Sequence, residues 1–212
     1  MEEKEIQDQL TSIRSLMERS SKFISLSGLS GVLAGLYALV GAGIAYQIIY
    51  VQQHTFSSGY VGNGGLVNNL AIPGAAQIML TALVVLVASV ATGIVLTIRK
   101  ARRKKQQITG SLSRQLLFNM AVPLLAGGIL ILVLIAKDYF GLVVPASLIF
   151  YGLALVNAGN FSFTDVKYLG IGEILLGLLA ALLPSYGLLL WAFGFGVLHI
   201  IYGSIMYFKY DK

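Results

Sequence analysis

The chain contains no cysteine. Disulfides, thiolate nucleophiles and cysteine-bound metals are therefore excluded, while the redox compartment stays open. Charge is also scarce: 11% of the 212 residues are Asp, Glu, Lys or Arg, against ~25% in soluble domains. With only 2 histidines, a histidine-based metal site lacks ligands, and no HExxH helix, GxSxG elbow or P-loop is present. No metal, no cofactor and no enzymatic activity are expected.

What the chain does have is apolar sequence, 57% of all residues. A membrane span needs roughly 20 mainly apolar residues, and six such runs can be marked. They cover about 24–50, 72–98, 113–136, 142–158, 168–183 and 187–208. The expected fold is all-α: a polytopic integral membrane protein with six transmembrane helices in a compact bundle. The charged start MEEKEIQDQL does not fit a signal peptide, so the first run is expected to be a retained span.

Basic residues set the orientation. Lys4, Arg14, Arg19 and Lys22 precede span one. Arg99, Lys100, Arg102, Arg103, Lys104, Lys105 and Arg114 follow span two, and Lys167, Lys209 and Lys212 lie further on. With both termini inside, only Lys137 of 15 basic residues falls outside, as the positive-inside rule requires. IRKARRKKQQ (98–107) looks like a nucleic-acid patch in isolation. Placed directly after a span it reads as a topogenic cytoplasmic loop, with anionic lipid headgroups as its partner; nucleic acid is not needed.

Before span one, Ile6, Leu10, Ile13 and Met17 recur at helical spacing. Residues 1–23 are expected to form an amphipathic helix, lying on the membrane, packing under the bundle or pairing with another copy. The loop QQHTFSSGYVGNGGLVNNL (52–70) has no Lys, Arg, Asp or Glu, and His54 within it reads as a surface histidine. Pro123 lies inside span three and should kink it, freeing a carbonyl near Asn119. ALVGAG (38–43) and ALVNAG (154–159) hint at an inverted repeat of the kind some transporters carry, but the following spans do not align.

Small residues recur at helix-packing spacing. Ser27, Gly31 and Gly35 form one line in span one; Gly170, Glu173, Gly177 and Ala181 form another in span five; Gly196, His199 and Gly203 form a third in span six. GIGEILLG (170–177) puts a carboxylate into an otherwise apolar run. Reflecting the PSYG hairpin about Ser185 sets Glu173 opposite residue 197, with His199 about 3 Å from that level. The two are expected to meet, about 18–21 Å from the outer turn. A Glu–His pair at that depth either fixes the register of two helices or serves as a proton, ion or pH-sensing site. GIGE is similar to the GxGD signature of presenilin-like aspartyl proteases, but that chemistry needs a second facing carboxylate, which no span supplies.

Residues 169–203, LGIGEILLGLLAALLPSYGLLLWAFGFGVLHIIYG, form a glycine-studded helix, a proline turn and a second glycine-studded helix. This hairpin resembles the repeats of the HdeD-type acid-resistance membrane proteins. The resemblance covers the last two spans and implies a non-enzymatic, stress-linked role in a bacterial inner membrane. The functional expectation is a membrane protein acting through self-assembly or as a partner of a membrane complex. The alternative is a small transporter or channel for protons, ions or a small solute, centred on Glu173 and His199.

Overall fold

The computed structural model describes Gln7 and residues 27–57, 74–103 and 111–211. The amphipathic helix expected over 1–23 (Gln7 apart), Pro73, Lys104, Lys105 and Lys212 lie outside them. Among the described residues there are helices and turns and no strand, so the protein is all-α. The helices are α1 (Gly28–Ser57), α2 (Ala75–Arg103), α3 (Ser111–Ala136), α4 (Val143–Ala158) and α5 (Thr164–Leu182). A C-terminal rod follows over 187–211: α6 (Gly187–Trp191), a π-helical stretch (Ala192–Leu198), α7 (His199–Met206) and a second π-helical stretch (Tyr207–Asp211). Short 3-10 turns, Phe140–Leu142 and Pro184–Tyr186, lead into α4 and the rod.

Five stretches are long and apolar enough to cross a membrane: Gly28–Tyr50, Ala76–Arg103, Ser113–Ala136, Phe140–Ala158 and Pro184–Tyr210. α5 is of similar length at 19 residues but carries Asp165, Lys167 and Glu173, which lower its apolar character. The composition and these helices define an integral membrane protein.

Helix ends depart from the expected span ends because hydrogen bonding and capping, rather than hydropathy, stop a helix. α1 runs on through His54 to Ser57, so the first residues of the polar stretch that begins at 52 are helix. α2 carries Lys100, Arg102 and Arg103 in its last turn, and the basic run begins as helix, not as loop. Lys, Arg and Ala are good helix formers, no Gly or Pro interrupts them, and cations suit a helix C-terminus. α5 starts at Thr164, four residues ahead of 168, with Asp165 in its first turn where a negative charge is favoured. α3 ends in a Schellman-type turn: Tyr139 N–H donates to Leu134 O at 2.8 Å, and Asp138 takes the left-handed conformation with φ 60.

The expected compact bundle is replaced by a row. α2 packs on α1, α1 on the rod, the rod on both α5 and α4, α5 on α4, and α4 on α3. Chain neighbours α2 and α3 have no comparable contact among the described residues. Along Ala76–Arg103 only Ala101 is buried, and the membrane-length part of α3 has few buried residues.

Two joints in the row are backbone-close. Where α1 crosses the rod, a methyl group on Gly31 would stand 3.1 Å from Gly203 Cα, and one on Gly35 would stand 2.6 Å from Gly196 O. The line of small residues in span one thus meets the one in span six. Where α4 crosses α5, a methyl on Gly152 would stand 2.6 Å from Gly170 O, and one on Gly170 would stand 2.8 Å from Val156 N. The buried line of α5 ends at Ala180, not Ala181, which is exposed. With ~3.6 residues per turn, a step of three after Gly177 follows the packed face as well as a step of four.

These joints lead to a stability prediction. In Gly203→Ala the added carbon would lie 2.5 Å from Val32 N and 2.7 Å from Gly28 O, backbone atoms that cannot turn aside. A loss of about 1–3 kcal/mol is expected from overpacking. Gly93→Ala, where nothing lies within 4 Å, should be neutral or stabilising by up to ~1 kcal/mol. Thermal unfolding of both variants in one detergent tests the contrast.

Candidate functional site

Glu173 is the midpoint of α5 (Thr164–Leu182) and is 0% exposed. Nothing in the local sequence resists a helix there, since Ile174, Leu175 and Leu176 extend it and the next glycine is Gly177. The carboxyl group is directed at the rod, where the backbone of Gly194 makes room for it. A methyl on Gly194 would stand 2.6 Å from Glu173 Oε2 and 2.8 Å from Leu148 Cδ2. A side chain there would require the Glu173 carboxyl end and the Leu148 methyl to shift.

His199, 6% exposed, begins α7 just beyond the π-helical stretch. Its Nδ1 lies 3.1 Å from Gly194 O, five residues earlier in the chain. A carbonyl only accepts, so Nδ1 carries the hydrogen. Nε2 of the neutral ring is then an acceptor, and Tyr151 O–H donates to it at 2.8 Å. Widened π turns commonly mark functional positions; here the turn brings Gly194 O and the imidazole of the same rod together.

Glu173 Oε1 stands 3.4 Å from His199 Nδ1. That is near enough for strong attraction if the ring is charged, but Gly194 O holds the shorter contact with the same hydrogen. Neither carboxyl oxygen has a hydrogen-bond partner among the described residues. The structure brings the two side chains together without closing a hydrogen bond between them. A buried polar group left unpaired costs about 1–3 kcal/mol, and more when charged.

Aromatic rings pack against this centre. Tyr151 lies 5.0 Å from Phe195 and 5.5 Å from His199 between ring centroids, Phe195 stacks on His199 at 5.9 Å, and Trp191 meets Phe195 at 5.1 Å. Trp191, which carries no site assignment from sequence, is the outer member of this ring cluster. The apolar walls exclude water and raise the cost of a bare charge.

A second polar cluster joins the start of α5 to the end of the rod. Lys209 Nζ donates to Asp165 at 3.1 Å and Tyr210 O–H donates to the same carboxylate at 3.0 Å. The lysine is half exposed, so the ion pair adds little stability. Its value is to hold two chain segments in register, together with the Phe163–Tyr210 ring contact at 4.1 Å.

Pro123 lies within α3, which continues to either side of it. Proline cannot donate to the carbonyl four residues earlier, that of Asn119. Asn157 on α4 supplies the missing donor, its Nδ2 lying 3.4 Å from Asn119 O. Asn119 turns its own amide back to Gln115 O at 2.8 Å. Pro123 is therefore far from Glu173 in role: it belongs to the α3–α4 joint. Arg99, Lys100, Arg102 and Arg103 sit at the end of α2, remote in the row from the Glu173 centre.

Sequence reasoning missed Tyr151, Gly194 and Asn157. Tyrosine in an apolar run reads as a packing or interfacial ring, so its hydroxyl gave no signal. Gly194 is one of 24 glycines, and nothing local sets it apart. For Asn157 a signal existed: a side-chain donor in one span can serve the carbonyl that a proline frees in another.

Compared with family models, curated proteins and solved structures, the chain finds no match.

Tyr151→Phe removes the hydrogen bond to Nε2 and leaves that nitrogen buried and unpaired while preserving the ring. A stability loss of about 1–3 kcal/mol is expected, read as a lower melting temperature in lipid nanodiscs. Unchanged melting would show that the hydroxyl is not a partner of His199.

Proposed function

We propose that this chain is a non-enzymatic, six-span integral membrane protein whose Glu173–His199–Tyr151 centre binds and releases one proton. The observation that carries this reading is Glu173, fully buried with neither carboxyl oxygen hydrogen-bonded. A pair serving only to lock two helices would be expected to close its hydrogen bonds, because a half-satisfied buried network is costly. A proton is also the one cation that needs no cavity.

The chemistry has two net-neutral forms. Either the carboxyl group holds the proton beside a neutral imidazole, or the imidazole holds it beside a carboxylate. In the second form Nδ1–H can turn from Gly194 O to Oε1 and Nε2–H donates to the Tyr151 oxygen. Removing the proton leaves a bare negative charge among Leu148, Gly194 and the aromatic rings, and uncompensated buried charges cost several kcal/mol. That cost favours a rearrangement of α5 against the rod, so packing is tightest with the proton bound and loosens as pH rises. Coupled to a solute path, this is a small proton-linked transporter. Coupled to a partner, it is a pH-responsive subunit, in keeping with the acid-stress role that the resemblance of residues 169–203 implies.

The positive-inside pattern supports placing both termini in the cytoplasm, in an inner membrane. Arg99, Lys100, Arg102, Arg103, Lys104 and Lys105 would then meet anionic headgroups. A second reading, action through assembly with another copy or a membrane partner, is favoured by the exposed apolar lengths of α2 and α3. The two readings are compatible, since a proton centre can regulate an assembly.

Infrared difference spectroscopy across a pH titration tests the proton centre. A protonated carboxylic acid band should disappear as pH rises, and Glu173→Gln should lack it. Absence at every pH of both this band and an imidazolium band of His199, or an acid band that persists in Glu173→Gln, would sink the proposal. Proteoliposome flux assays then separate a transporter, in which Glu173→Gln stops proton-coupled flux, from a subunit that carries none.

A further inference from the structure

The helix ends stand equally far from Glu173, about 13 Å along α5 in each direction at ~1.5 Å per residue. What differs is the lining. Toward Leu182 the surroundings are apolar: α5 offers Ile174 to Leu182, and the rod offers GLLLWAF over 187–193. The facing part of α4, VVPASLIF over 143–150, has one hydroxyl, Ser147, which donates to Val144 O of its own helix at 2.8 Å. Ala146, Leu148, Gly177, Ala180 and Gly187 are buried there. No titratable side chain of α4, α5 or the rod lies between Glu173 and the Pro184 turn.

The other direction is different. Tyr151 of α4 and His199 of the rod touch the centre. The Tyr202 hydroxyl, one turn beyond His199 and itself buried, lies within electrostatic reach of Tyr151. Further along, Tyr210 packs on the same apolar cluster of Leu155, Phe163 and Met206 as Tyr151 and Tyr202 do. Its hydroxyl meets Asp165, a carboxylate that is one quarter exposed. α5 itself contributes Asp165 and Lys167 at this end. Hydroxyl and imidazole groups can each donate and accept, the property a proton relay needs. Apolar side chains can do neither.

We infer that the Glu173 centre exchanges its proton with one side only, the side on which Asp165 and Lys209 lie, along Tyr210, Tyr202, Tyr151 and His199. This rests on the proton-binding reading of Glu173 and adds its direction: the centre reports the pH of one compartment and is sealed from the other by the α4–α5–rod apolar end. By the charge pattern that compartment is the cytoplasm.

The test uses the full chain in vesicles of a single orientation, verified by access to a C-terminal tag. Trp191 is the only tryptophan and packs against Phe195, which stacks on His199, so its fluorescence reports the state of the site. A pH jump on the Asp165 face should change the signal promptly. The same jump on the opposite face should leave it unchanged until the vesicles leak. Glu173→Gln should remove the response, and Tyr202→Phe should reach the same end point roughly tenfold or more slowly, as loss of a positioned proton-transfer group predicts. A prompt response to the opposite face, or to both faces equally, overturns the one-sided route. An unaltered rate in Tyr202→Phe overturns the relay through that hydroxyl. If neither face gives a response, the one-sided route fails; if the spectra also show neither a Glu173 acid band nor a His199 imidazolium band, the proton-binding reading fails with it.

Discussion

A carboxyl group at the centre of an apolar helix must face something that tolerates it, and here that is the backbone of Gly194. The contact sets how near α5 can come to the rod, because a larger residue at 194 would collide with both Glu173 and Leu148. It also sets where the imidazole of His199 can go, since Gly194 O accepts from Nδ1. The π-helical stretch and the tilted ring cluster of Tyr151, Phe195 and Trp191 close around this contact. Satisfaction of polar groups is strict in an apolar medium, so leaving both carboxyl oxygens without a hydrogen bond among the described residues is costly.

Elsewhere the packing is conventional for helices in lipid. Without a hydrophobic difference between protein and bilayer interior, association rests on close contact and occasional hydrogen bonds. The α1–rod and α4–α5 joints use glycine on both sides, and the α3–α4 joint adds the Asn157 bond to the carbonyl that Pro123 leaves free. The Asp165–Lys209–Tyr210 cluster ties the opposite ends of the last hairpin, so the Glu173 centre lies between a tight turn at one end and a polar clasp at the other.

Much of this was legible in the sequence. Long apolar runs gave the helices, and the proline turn gave the α5–rod hairpin with Glu173 and His199 at nearly the same level. The carbonyl freed by Pro123 also followed from chain chemistry alone. Three things were not legible. Helix ends follow capping and propensity, so α2 carried its basic residues as helix and α5 began before its apolar run. The π-helical stretch changes the number of residues per turn, so a face drawn at constant spacing through 192–198 loses its meaning. The order of helices in space depends on contacts between segments far apart in the chain, and glycines at regular spacing do not say which partner they meet.

The row of helices has a geometric consequence. Arg103 and Ser111 are joined by eight peptide steps, which reach at most ~28 Å, whereas the straight path α2–α1–rod–α4–α3, with α4 touching the rod, would set the outer pair ~36 Å apart at ~9 Å per step. The row must therefore curl, bringing α2 and α3 toward each other without packing them together. In a bilayer, acyl chains would fill any space left between them and serve as the missing staves of the wall. Chain length and lateral pressure of the surrounding lipid then become terms in the protein's own conformational balance.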